Sequence, residues 1–217
     1  MKLNKVMALA LSGLMAVSML AGCAGNPDGG DDQGDVIVNP TPSNAADIMN
    51  SLQSTVKFEA DTTLDAILAS ALDGVQSKDI KDAPELASVT ANITSGSNAL
   101  YKAVQKKITG EYGLSTTAIN FASSCTSKDD TTTTNLYWVK AANLSESSVL
   151  TVIANIMKMD KYDDVSTVKK TQNYEISYKG AVSVMKASAT AEDGTAYSTY
   201  VVAVSVTQDV GDKIVDN

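Results

Sequence analysis

No histidine and no arginine occur among the 217 residues, so every one of the 17 basic side chains is a lysine. Without imidazole there is no Ser-His-Asp or Cys-His chemistry and no histidine metal ligand. Without guanidinium the chain lacks the planar fork that grips carboxylates and phosphates through paired hydrogen bonds. The formal charge of −8 points the same way. An acidic chain without arginine holds a phosphate backbone poorly, so nucleic acid is not expected as a partner. Two cysteines allow at most one bridge, which excludes a disulfide framework. Aromatic residues make up only 5% of the chain, thin for the aromatic-lined cleft of a glycosidase. No glycine-rich phosphate loop, CxxC pair, HExxH or calcium loop occurs, so no cofactor and no metal site are expected.

What the chain does have begins at its first residues. Lys2 and Lys5 give a positive start, and an apolar run broken only by small residues follows from Val6 to Leu20. That pattern is a secretory signal; a membrane span needs about 20 apolar residues and different flanks. The run ends in Leu20-Ala21-Gly22-Cys23. These residues resemble the lipobox of bacterial lipoprotein precursors: an aliphatic residue, two small ones, and the cysteine that is lipidated and becomes the first residue. The resemblance implies that residues 1–22 are removed and that Cys23 carries diacylglycerol, usually with an amide-linked acyl chain. Each buried methylene contributes about 0.8 kcal/mol, so two or three chains anchor stably where one does not. Losing Lys2 and Lys5 takes the formal charge from −8 to −10. The implied location is extracytoplasmic, on the bacterial cell membrane, or on the outer membrane where the envelope has one.

Residues 23–43 read as the lipidated cysteine and a disordered acidic tether, with Asp28, Asp31, Asp32 and Asp35, several glycines, and no lysine. Too little apolar surface is present to offset chain entropy, like charges extend the segment, and Pro40 and Pro42 stiffen its end. Residues 44–208 have globular composition and are expected to form a single α+β domain. Residues 209–217 read as a flexible acidic tail.

Within the body, Leu64, Ile67, Leu68, Ala71, Leu72 and Val75 recur at helical spacing behind a cap at Asp61 or Thr62. A capping box at Asp82 and Glu85 starts a second helix, and Ser97 caps a third that carries Leu100, Val104 and Ile108. Residues 145–158 form the most legible helix, with a Leu144–Val149 staple around the Ser145 cap. Alternation predicts strands at 119–125, at 136–141 with Trp138, and at 174–184. The strongest strand, 195–207, follows Glu192-Asp193-Gly194, whose Asp-Gly pair suits a type I′ hairpin. The expected fold is an antiparallel sheet of four to five strands, with helices on one face and two degenerate helix-plus-hairpin units. Val56 and Phe58 offer a fifth strand.

Several residues invite chemistry. Cys125 shares an apolar strand face with Ile119 and Phe121, which predicts a buried, inert thiol. Asp160, Asp163 and Asp164 follow the last helix as a solvated charge run, and Ser166 with Lys169 fits the letters of a Ser-x-x-Lys dyad. Tyrosines concentrate in the C-terminal part, and tyrosine combines contact area with a polar handle. Tyr178 and Tyr197 are therefore the candidate ligand-binding residues, with no catalytic residue assigned. The expected function is a membrane-anchored, non-catalytic binding or accessory module of the cell envelope. Its partners would be the membrane, through the lipid on Cys23, and an envelope protein or cell-wall polymer. The alternatives are an envelope hydrolase using carboxylates or a Ser/Lys pair, and a purely structural envelope lipoprotein.

Overall fold

The computed structural model describes residues 37–40, 44–73, 75, 80–81, 83, 99–108, 112–116, 119, 129–141, 143–159, 174–190 and 193–213. All of them lie within one compact unit, Asp32–Asn217. Its strands are β1 (Ile37–Pro40), β2 (Val56–Glu59), β3 (Thr131–Lys140), β4 (Tyr174–Thr190) and β5 (Ala196–Lys213). Its helices are α1 (Ala45–Leu52), α2 (Thr62–Leu72), α3 (Ala99–Lys107) and α4 (Glu146–Met159).

The chain's most strand-like segment, β5, lies inside the sheet, flanked along its length by β4 and β3, both antiparallel to it. The other edge of β4 is shared. Strand β1 pairs antiparallel with Met185–Ser188, while β2 pairs parallel with Tyr178–Ala181. The sheet is therefore mixed, and Val56 and Phe58 do build a fifth strand, though a parallel one. Its parallel direction follows from connectivity: α1 carries the chain back before β2 begins.

The expectation of helices on one face is corrected as well. Central strand β5 is apolar on both sides, so both sides need cover. Tyr200, Val202, Val204 and Val206 face α1 and α4, joined by Tyr137, Val139, Val182, Val184, Leu150 and Ile153. Val201 and Ala203 face α2 and α3, with Leu136, Trp138, Met185, Leu64, Leu68 and Leu100. Fully burying one such aliphatic side chain contributes about 1.5–3 kcal/mol, so each face holds a core of its own.

Local chemistry sets the element ends. Helix α2 starts where Asp61 Oδ1 accepts from the Thr63 and Leu64 N–H groups at 2.9 and 3.1 Å. Helix α4 starts where Ser145 Oγ accepts from the Ser148 N–H at 3.2 Å, with Val149 buried and Leu144 packed beside it. The β4–β5 connection turns at Asp193-Gly194, with Gly194 at φ 81°, a conformation glycine adopts without steric penalty. Asp193 Oδ1 accepts from the Thr195 N–H at 2.8 Å. Thr190 and Ala196 are the last paired residues, so the loop is longer than the expected two-residue turn.

Three boundaries move. Residues 37–40, assigned from sequence to the tether, form β1. Residues 209–213, assigned to the acidic tail, continue β5, where Asp209 and Val210 pair with Ser177 and Ile176. The four threonines ahead of Leu136 belong to β3, as their β-branched side chains favour. The expected strand 119–125 beyond Ile119, and with it one strand of the first helix-plus-hairpin unit, lies outside the described residues, as does the expected helix from Asp82 to Ile93 except Ala83.

Candidate functional site

The α2/α3 face of the sheet changes character along β5. Val201 and Ala203 are apolar, whereas Ser205, Thr207 and Asp209 are polar. Neighbouring strands change in step: Leu136 gives way to Thr134 and Thr132 in β3, and Met185 to Ser183, Ala181 and Lys179 in β4. Helices α2 and α3 cover the apolar part. Beyond the N-terminus of α2 the polar part opens as a cleft of about 730 Å³. One wall is the link from β2 into α2, residues 59–62; the other is Tyr112 and Gly113, alongside β3.

Hydrogen bonds to α2 and to β3 hold that second wall in place. The Tyr112 hydroxyl donates to Asp61 Oδ2 at 2.6 Å, while Oδ1 of the same carboxylate caps α2. Gly113 accepts from the Thr134 N–H at 2.8 Å, and the Ser115 N–H donates to the Thr134 carbonyl at 2.9 Å. A Cβ on Gly113 would stand 2.2 Å from the Thr132 carbonyl oxygen, so only glycine allows this approach. From the opposite face of β3, buried Asn135 accepts from the Ile119 N–H at 3.1 Å and donates to the Ser115 carbonyl at 3.2 Å.

The floor is a double row of hydroxyls. Thr132 and Thr207 pair through their Oγ1 atoms at 2.8 Å, and Thr134 donates to Ser205 Oγ at 2.9 Å. Each hydroxyl carries one proton. The Ser205 proton therefore has no acceptor among the described residues, although that side chain is only 4% exposed. One proton of the Thr132–Thr207 pair is left undonated in the same way.

Charges around the cleft are largely matched. Lys57 Nζ lies 2.9 Å from Glu59 Oε1, and that hydrogen bond and charge hold the Glu59 carboxyl below the usual carboxylate range. Lys179 is paired with Asp209, which pushes its ammonium up from the ordinary lysine value; Asp130 and Glu59 add to the shift. Asp130 Oδ1 accepts from the Val210 N–H at 2.8 Å. Every carboxylate lining the cleft thus already serves a neighbour.

These facts bear on both catalytic alternatives. Ser205 and Lys179 line the same cleft, the only Ser/Lys pairing seen among the described residues lining it. A serine nucleophile needs a neutral amine as base, and Asp209 instead holds Lys179 in the ammonium form. Acid–base hydrolysis needs one carboxyl whose pKa is raised; Glu59 shifts the opposite way. What the cleft offers is hydrogen bonding: undonated hydroxyl protons on its floor and spare carboxylate lone pairs on its walls.

The two tyrosines singled out from sequence sit elsewhere. Tyr178 is 6% exposed, in the core under α1 and α4, so burial withdraws it from any ligand. Its ring faces the apolar side because β4 alternates, a parity that sequence alone could not orient. Tyr197 is half-buried near the β4–β5 turn, with Lys81 Nζ 5.8 Å from its ring centroid, and it lines a small hollow of about 250 Å³. It packs against the α2/α3 core and lies away from the cleft. Cys23, Cys125, Asp160, Asp163, Asp164, Ser166 and Lys169 lie outside the described residues. Missed from sequence were Thr132, Ser205, Thr207, Asp130 and Tyr112. The one available signal was the rising polarity of alternate residues in β5, from Val201 through Ser205 to Asp209.

Among the described residues no three His, Cys, Asp or Glu side chains group to hold a metal ion, and no helix is long and apolar enough to cross a membrane. No protein-family model matches the chain, and no curated protein or solved structure is significantly similar to it.

Proposed function

We propose that this is an extracytoplasmic bacterial lipoprotein, anchored to the cell membrane (or to the outer membrane where there is one) through lipid on Cys23. Its folded body acts as a non-catalytic binding or accessory module of the envelope. The anchor rests on the signal-like segment and on Leu20-Ala21-Gly22-Cys23. The module reading rests on one observation: a cleft of about 730 Å³ whose ionisable groups are committed to fixed partners while hydroxyl protons stay free. Groups tied up in this way recognise a ligand better than they move protons. An envelope protein or a cell-wall polymer is the fitting class of partner.

Cys23→Ser tests the anchor. The variant should leave the membrane fraction or accumulate unprocessed; full membrane retention at mature size would overturn the assignment. The rival hydrolase reading draws on the carboxylates of the same cleft. Incubating the full chain with purified cell wall should release no soluble fragments. Release that disappears in Asp130→Asn would establish the hydrolase instead.

A further inference from the structure

We infer that the cleft beside the α2 N-terminus is a binding site for a neutral, polyhydroxylated ligand, a short stretch of sugar chain. The inference deepens the module reading and is independent of the lipid anchor.

Volume comes first. At about 730 Å³ the cleft falls within the range of about 300–1,000 Å³ typical of small-ligand sites. It is open and floored by a sheet, which suits a linear ligand lying across the strands.

The kinds of hydrogen-bonding group then select the ligand. On the floor, Ser205 and one of Thr132 and Thr207 hold protons with no acceptor among the described residues. Ser205 is nearly fully buried, so bulk water is a poor substitute, and an unmet buried donor is costly. A ligand must therefore bring acceptors down to the floor. At the walls, Asp130 engages one oxygen with the Val210 N–H, and its other oxygen accepts no hydrogen bond among the described residues. A ligand must bring donors there. Groups that donate and accept on successive carbons are hydroxyls.

Charge argues against the obvious competitor, a cationic amine drawn by the carboxylates. Glu59 is matched by Lys57, and Asp209 by Lys179. Asp61 is engaged by two backbone N–H groups and the Tyr112 hydroxyl. An anion meets Asp61 and Asp130, which accept only from uncharged groups and so keep their negative charge. A neutral ligand meets no such penalty, and half-buried Tyr112 lines the wall where the CH face of a sugar ring can lie against it.

The test is titration calorimetry of the full chain in a zwitterionic, sugar-free detergent. Probes are an N-acetylglucosamine trimer, maltotriose, and spermidine as the cation. At least one oligosaccharide should bind saturably, with Kd about 1 mM or tighter, and spermidine should not. Thr132→Val keeps a β-branched strand residue, and Asp130→Asn keeps the acceptor for Val210. Each should weaken sugar binding about tenfold with Tm unchanged. Failure of both sugars to bind, preference for spermidine, or sugar binding indifferent to both variants would overturn the inference. None of these outcomes touches the Cys23→Ser result, so the anchor and the ligand class fail separately.

Discussion

The two faces of one strand use the same residues differently. Toward α1 and α4, β5 stays apolar through Tyr200, Val202, Val204 and Val206. Toward α2 and α3 it is apolar only at Val201 and Ala203, then turns to Ser205, Thr207 and Asp209. Among the described residues both faces carry helices, so the presence of helices does not explain the contrast. Where the helix ends explains it. Helix α2 begins at Thr62, and among the described residues no helix lies over the sheet beyond that point. Uncovered sheet must be polar, and a polar floor between two walls becomes a cleft. One face is built for cohesion along its whole length; the other gives up part of its core to an open polar cleft.

The largest effect should come from making the first face resemble the second. Val204 is fully buried between α4 and the sheet. Val204→Thr keeps shape but places a hydroxyl in an apolar core, and such a change costs about 1–3 kcal/mol. The reverse change, Thr207→Val, removes one hydroxyl of a partly exposed pair and should shift stability by less than about 0.5 kcal/mol. Urea midpoints of the two variants measure the contrast. Equal losses would mean that the hydroxyl rows matter to the fold as much as the valines do.

Much of this contrast could be read from sequence, and the unread part has a physical cause. Helix α2 was visible because Leu64, Leu68 and Leu72 repeat at helical spacing behind Asp61, one of the two residues expected to cap it. Helix α4 was visible through Ser145 and its staple. Those signals are local. Strands β1 and β2 took their places by pairing with β4, more than a hundred residues further on, and no local pattern encodes a partner at that distance. The cleft is harder still, because its floor and walls come from β2, α2, the 112–116 segment, β3, β4 and β5. Tyrosines drew attention instead, for their chemistry, and strand parity buried Tyr178.

A smaller effect should follow where helix cover ends. Asp61 performs two tasks, capping α2 and accepting from Tyr112. Asp61→Ala should cost about 1 kcal/mol as a lost cap. Asp61→Asn retains the cap through Oδ1, while its Nδ2 replaces the oxygen that accepted from Tyr112 and can only donate to the Tyr112 oxygen, so it should cost less. If the second wall is held by this contact, Asp61→Ala should also speed hydrogen exchange at the Thr134 and Ser115 amides. Unchanged exchange there would show that Gly113 and Asn135 hold the wall without Tyr112.

The smallest effect concerns Asp65, on α2 directly above the point where the face turns polar. Burial pushes its carboxyl up from the ordinary value of 3.8; the Ser183 hydroxyl pulls it partway back, and Asp61 adds a further push upward. An acid whose pKa is raised by folding is penalised in its charged form. That penalty is absent below 3.8 and builds as pH rises through the range just above it, so this group works against the fold at neutral pH. Asp65→Asn removes the charge and should raise Tm slightly at pH 7, an advantage that shrinks as the pH falls toward 3.8. Asp65 is only half-buried, which keeps the gain small. A lower Tm for the Asn variant at pH 7 would reverse the order of the two influences. The pull of the nearby Ser183 hydroxyl would then outweigh burial, and the polar character of this face would begin one turn of α2 earlier than its covering leucines suggest.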